Sequence, residues 1–161
     1  MRGYRPRSQV KPERPTAPER AAASLVRGAV RVPGLRRFLL VPVIARIGYW
    51  IATGLAAAWG WLLFGRHSVQ EGLHVFAELP RWSFGRGGTT IGAVYLTDDA
   101  LLPSILEHEA VHREQWKHYG LAFPVLYLAA GKAPGTNRFE VDAGLEKGGY
   151  PRGGSRPAAR S

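Results

Sequence analysis

The chain has no cysteine, which excludes disulfides, thiolate metal sites, iron–sulfur clusters and cysteine nucleophiles. Any transition-metal site must then be assembled from the five histidines and the carboxylates. Carboxylates are scarce: 12 Asp and Glu stand against 22 Lys and Arg, a net charge of +10. Such an excess favours phosphate-rich or anionic partners, nucleic acid or an anionic membrane, whatever the fold. Eleven of the basic residues precede Ile47, so the charge reads as a property of the amino-terminal tail. That tail lacks aromatic residues interleaved with base-reading groups, which makes nucleic acid the poorer candidate. It also lacks a short hydrophobic run with a small-residue cleavage site, so it does not read as a secretory signal. No internal repeat is visible. The turn Gly85-Arg86-Gly87-Gly88 lacks the Lys-Ser/Thr of a phosphate-binding loop and reads as a hairpin turn.

What remains has room for one domain of ordinary size within 161 residues, not for two separate cores. Glycine and proline, 20 and 12 residues, gather toward the ends. Residues 1–36 alternate Arg, Pro and small residues without an apolar period and are expected to be a disordered tail. Within it, the stretch from Leu25 to Arg37 mixes arginines with valines as a short basic membrane-surface segment would.

Residues 37–65 change sharply in composition. From Phe38 to Phe64 the only charge in 27 residues is Arg46, and Ile47 to Phe64 is an uncharged run of 18. That length just reaches the lower limit of a membrane-spanning helix. The aromatic groups Tyr49-Trp50 and Trp59/Trp61 resemble interfacial anchors, but they lie only about 15 Å apart on a helix, too close to mark both faces of a bilayer. Pro42 and Arg46 suggest a bent element with a short and a long apolar arm. The expectation is membrane association through residues 38–64, by a span or by an interfacial segment. Five Lys or Arg between Arg27 and Arg46, against Arg66, Arg81 and Arg86 in the stretch that follows the run, would keep the basic side in the cytoplasm and put the downstream domain outside it.

Residues 66–150 read as the folded α+β domain, and residues 151–161 as a second disordered tail. Leu73–Ala77 and the run Ile91–Thr97 are β-prone and separated by Pro80 and glycines, so a hairpin or small sheet is expected. Asp98 and Asp99 then offer capping carboxylates, and Pro103 suits the first turn of a helix that stops at Gly120. Leu121 to Ala130 reads as a second helix. A third begins near Asn137 and closes at Gly148 and Gly149.

The first of these helices carries His108-Glu109-Ala110-Val111-His112, an HExxH pattern. Residues four apart on a helix project from one face, so two imidazoles can reach one ion. Glu109, turned about 100° from His108, stands beside that ion, placed to take a proton from water. Tetrahedral zinc with an open position needs a third protein ligand. Glu140, in the helix 28 residues beyond His112, is the first candidate; Asp142 is the second, and His67 and His74 are outsiders. His118 lies too far around and along the helix to share the ion. Gln115 and Trp116 follow on the same face and read first as packing between helices, second as a hydrogen bond to a ligand.

The segments ILEHEAVHREQWKHYG, FPVLYLAAG and NRFEVDAG resemble the gluzincin branch of zinc metallopeptidases. More closely, they are similar to a group of small bacterial proteins with a minimal zincin core. In that group a pattern near HExxHxxQ precedes an apolar helix and an N-P-F-E-x-x-A segment. The resemblance covers roughly Gly88 to Tyr150, and Arg138 stands where that pattern has proline. It implies His108, His112 and Glu140 as zinc ligands and Glu109 as general base. Larger gluzincins also have a second lobe, for which this chain has no room, and an oxyanion donor, for which Tyr95, Tyr119, Tyr127 and Tyr150 are the candidates. The expected function is hydrolysis of a peptide or protein by zinc-activated water, the substrate adding as a strand along Ile91–Thr97. A non-catalytic zinc-binding module that recruits a partner at the membrane is the alternative.

Overall fold

A stripe of small residues organises the first long helix. In the computed structural model, which describes residues 15–32, 34, 41–85, 87–99, 101–131 and 133–149, Ala17–Arg31 form α1 and Pro42–Leu62 form α2. On α2 the buried residues Ala45, Gly48, Tyr49, Ala52, Thr53, Ala56 and Gly60 recur at three- and four-residue spacing, one face of a helix. Their small size lets neighbouring backbone and rings approach closely. A Cβ on Gly60 would sit 2.5 Å from the Phe76 ring. Pro42 opens this helix at its first turn rather than bending it, because a missing N–H costs nothing there. The apolar arm before Val41 lies outside the described residues. Among the described residues no helix is long and apolar enough to cross a membrane.

The sheet comprises β1 (Arg66–Gln70), β2 (Leu73–Ala77), β3 (Thr89–Ile91) and β4 (Val94–Leu96), in the order β1-β2-β4-β3. β1 and β2 form an antiparallel hairpin around Glu71-Gly72, whose positive φ values of 49° and 71° are those of a type I′ turn. β2 pairs in parallel with β4, and β3 pairs antiparallel with β4. The run Ile91–Thr97, expected as one strand, is thus broken: Gly92-Ala93 make a two-residue turn, β4 is interior, and β3 is the edge. Sheet alternation sorts the side chains. Leu73, Val75 and Tyr95 cluster with Leu106, while Phe76, Val94 and Leu96 cluster with Ala56 of α2 on the opposite face. The fold is α+β, as expected.

Leu106 belongs to α3 (Pro103–Tyr119), which carries the HExxH pattern. Its N-cap is Leu102, with no side-chain cap, so the expected capping role of Asp98 and Asp99 is corrected. Asp98 instead pairs with Arg81 at 2.7 Å and accepts the Asp99 backbone N–H. The helix ends at Gly120, whose φ of 53° and whose hydrogen in place of a Cβ are both required, since a Cβ there would lie 2.6 Å from the Ala45 carbonyl oxygen. A short 3-10 turn, Gly120–Ala122, leads to α4 (Phe123–Ala129), and Arg138–Ala143 form α5. Trp116, Phe123 and Phe139 from these three helices share a core with Tyr49 and Ala52 of α2.

α1 departs from the disordered tail expected over residues 1–36. Thr16 and Glu19 form a capping box, and Pro18 sits in the first turn. The helix lies against α4. Its inward positions, Ala22, Ala23, Val26 and Ala29, have helical spacing but are mostly alanine, so they give little hydropathy contrast in the sequence. Residues 1–14 and 150–161, including the second expected tail, lie outside the described residues.

Candidate metal centre

His108 and His112 lie one turn apart on α3 and are both buried. α5 brings Glu140, also buried, up against them. Each of the three offers one ligand atom, and these atoms lie within 4.8 Å of one another. His108 Nε2 is 3.1 Å from His112 Nε2 and 3.2 Å from Glu140 Oε2; His112 Nε2 is 3.7 Å from Glu140 Oε1. Two atoms bound to one zinc ion at about 2.0–2.1 Å and a tetrahedral angle stand about 3.3 Å apart. The spacing fits a shared cation.

The hydrogen bonds behind the rings decide what faces the middle. His108 Nδ1 lies 3.1 Å from the Gly144 carbonyl oxygen, which can only accept, so this nitrogen carries the proton. Gln115 Nε2 donates to the Phe139 carbonyl at 3.0 Å, which turns its amide oxygen toward His112 Nδ1 at 2.8 Å, so this nitrogen is protonated as well. Neutral imidazoles fixed in this way present both Nε2 lone pairs inward. Glu140 Oε2 receives no hydrogen bond although it is buried. Lone pairs crowded together are what a cation relieves. These residues fit a metal ion, and among the described residues no other group of three does so.

Without a cation the cluster must hold a proton instead. Burial pushes the Glu140 carboxyl up, but the contacts with His108, His112 and Tyr127 outweigh it and hold the group well below its ordinary value. Burial pushes the His112 imidazole down, and the Glu140 and Glu109 carboxylates, with Gln115, more than reverse this, so it titrates above its ordinary value. The Tyr127 hydroxyl donates to Glu140 Oε1.

Asn137 positions Glu140. Fully buried, it caps α5 by accepting the Phe139 N–H at 3.0 Å, and its amide donates to the carbonyls of Gly131 at 2.7 Å and Tyr127 at 3.2 Å. Arg138, in the first turn of α5 where proline is favoured, keeps the helix without contributing to the ligand set; its guanidinium lies over the Phe139 ring.

Glu109 faces the same space. Thr90 Oγ1 on β3 donates to its Oε2 at 2.7 Å. Burial pushes the Glu109 carboxyl above its ordinary value, against the lowering effect of His112 and Thr90. Both carboxylates and both histidines line a cavity of about 680 Å³, walled on the apolar side by Ile105, Phe123 and Leu128. Gly85, Gly87 and Gly88 also line it, and the Gly88 N–H donates to the Gly85 carbonyl.

The other candidates fall elsewhere. Asp142 is exposed, and His118 is exposed against the Tyr119 ring. His67 and His74 pair with each other on the β1–β2 hairpin, ring nitrogens 3.2 Å apart. Tyr95 and Tyr127 line the cavity, Tyr119 stacks on Phe123 in the core, and Tyr150 lies outside the described residues. Gln115, read first as packing, instead orients His112. Trp116 packs in the core and also donates its indole N–H to the Thr90 carbonyl at 2.9 Å. That carbonyl is one of the outward groups of the β3 edge, so an added peptide strand cannot use it. Thr90, the Gly144 carbonyl and Gly148, whose Cβ would lie 2.7 Å from the His108 ring, carry no signal in the sequence. No known protein family, curated protein or solved structure matches this chain.

Proposed function

We propose that the protein is a small zinc-dependent peptidase with His108, His112 and Glu140 as ligands and Glu109 as general base. The reading rests on one observation: the inward nitrogens of two tautomer-fixed imidazoles and a buried carboxylate with one unsatisfied oxygen converge beside a second carboxylate in an open cavity. Two nitrogen donors and one oxygen donor suit zinc better than magnesium or calcium, which take oxygen ligands. The cores of gluzincin metallopeptidases, which the HExxH helix and the later Glu resemble, use this donor set.

When bound, zinc supplies Lewis acidity and a water acidified toward neutral pH. Glu109 is placed to take a proton from water in the cavity and to deliver it to the leaving amine nitrogen. Its raised pKa suits both halves of this transfer, and Thr90 keeps the carboxylate aimed into the cavity. Ile105, Phe123 and Leu128 exclude water and favour an apolar substrate side chain next to the cleaved bond. Tyr127, held on Glu140, steadies the ligand cluster rather than the opposite side of the substrate.

A second reading, a metal held for stability alone, is favoured by the way the cluster bolts α5 to α3. Glu109→Gln separates the two. The peptidase reading expects one zinc per chain in wild type and in Glu109→Gln, loss of zinc in His108→Ala and Glu140→Ala, and cleavage of a quenched peptide library by wild type only. Zinc binding with no cleavage of any library by wild type would leave the stability reading standing.

A further inference from the structure

We propose that α2 seats the protein in the plane of an anionic membrane surface. The face of α2 opposite its buried stripe is apolar and open: Leu55 is 69%, Leu62 66% and Trp50 57% exposed, and Phe64 just beyond the helix is 94% exposed. At about 100° per residue, Ile47, Ile51 and Leu62 fall within roughly 60° of one another, a continuous stripe about 23 Å long. An uncovered apolar surface of this kind marks a contact with a partner or a bilayer.

The charge pattern selects the bilayer. From Arg20 through Gln70 the sequence holds seven arginines and no Asp or Glu. Arg66 among them pairs with Glu78, but a protein partner of ordinary composition needs no such one-signed stretch of chain, whereas anionic headgroups attract each basic residue near the surface. The rim points the same way. Trp50 and Trp61 are eleven positions apart, within about 20° around the helix, and Arg46, exposed and without an ion pair among the described residues, lies beside Trp50 on the same flank. With the helix lying flat, both indoles and the guanidinium reach the headgroup level together. Their close spacing along the axis, wrong for anchors at opposite faces of a bilayer, is right for one interface.

The buried stripe keeps the helix flat. Thr53 Oγ1 accepts the Ala93 N–H at 2.9 Å, and Gly48 and Gly60 are in contact with Leu121 and Phe76, so α2 cannot leave the domain without opening its core. Trp59 carries this seat toward the cavity, because its indole donates to the Ser83 carbonyl and its ring meets Trp82, a few residues before the glycines that line the cavity.

The test is co-sedimentation of the full chain with vesicles of phosphatidylcholine alone or with roughly one-third phosphatidylglycerol. Partition at least about tenfold stronger on the anionic vesicles is expected, falling about tenfold or more in Ile51→Asp/Leu62→Asp and severalfold in Arg46→Glu. Both variants change exposed positions, and unchanged far-UV circular dichroism and melting show that they fold. Absence of partition, equal partition on the two vesicles, or binding untouched by Ile51→Asp/Leu62→Asp would each overturn the proposal. So would a wild-type dimer that the double variant dissolves while neither vesicle binds, since a second copy would then cover the face.

Discussion

Thr90 donates its hydroxyl to Glu109 across 2.7 Å, joining the edge strand of the sheet to the helical turn that carries both histidines. The contact comes from a residue 19 positions earlier in the chain and acts on the group proposed to move the proton.

Thr90→Val keeps the shape of the side chain and removes the donor. Burial raises the Glu109 pKa and the hydroxyl lowers it, so its loss should move the acid limb of the proposed hydrolysis to higher pH. A hydrogen bond to a charged group contributes about 1.5–3 kcal/mol, so kcat/KM should drop about ten- to a hundredfold on that limb. Zinc content should stay at the wild-type value. A pH profile and metal analysis on one preparation check both.

The cluster also makes stability depend on pH. Glu140, held below its ordinary 4.5, contributes stability that is present above pH 4.5 and lost as pH falls below it. His112, held above its ordinary 6.5, contributes stability that is full below pH 6.5 and lost as pH rises through its higher folded value. Glu109, raised from 4.5, costs stability as pH rises from 4.5 through its higher folded value, so it pulls the optimum toward the acid end of the window. The metal-free chain should therefore melt highest between these two ordinary values. An equimolar zinc ion replaces the shared proton, so it should remove the alkaline decline and bind more weakly as pH falls. Melting curves across pH, with chelator and with zinc, test this directly.

Asn137→Ala removes the α5 cap and both amide bonds that hold the segment. A destabilisation of about 2–4 kcal/mol is expected from three buried hydrogen bonds. Zinc affinity should fall by about ten- to a hundredfold, as for other groups that orient a ligand. Denaturant unfolding and zinc titration give the two numbers. Affinity unchanged in a folded variant would separate the cap from the ligand.

Gly120→Ala puts a Cβ 2.6 Å from the Ala45 carbonyl oxygen at a residue with φ of 53°. Backbone cannot yield as a flexible side chain would, so a loss of about 2–4 kcal/mol is expected. Gly54→Ala is the matched control, since a Cβ there meets nothing within 4 Å. It should leave stability unchanged or slightly raised. Thermal melts of the two variants settle the comparison.

What the sequence disclosed is what periodicity carries. The i and i+4 histidines, the Glu between them and the glycine stop after α3 are local facts about one helix. Glu140 was reachable because Asn137 announces a helix start three residues before it. The orienting groups were not: the Gly144 carbonyl is a backbone atom, and Thr90 is one ordinary strand residue brought in by the β3–β4 turn. α1 was missed because an alanine stripe has almost no hydropathy contrast, and the division of Ile91–Thr97 into β3 and β4 because the Gly92-Ala93 turn lies inside one continuous β-prone run.

The indole of Trp116 does one thing more. By bonding the Thr90 carbonyl it seals one margin of the sheet, while β1 forms the other margin with Val69 exposed. Should the protein be overheated or crowded, fibrillar growth by strand stacking would start from the first hairpin, and a charged residue in place of Val69 would be the simplest guard against it.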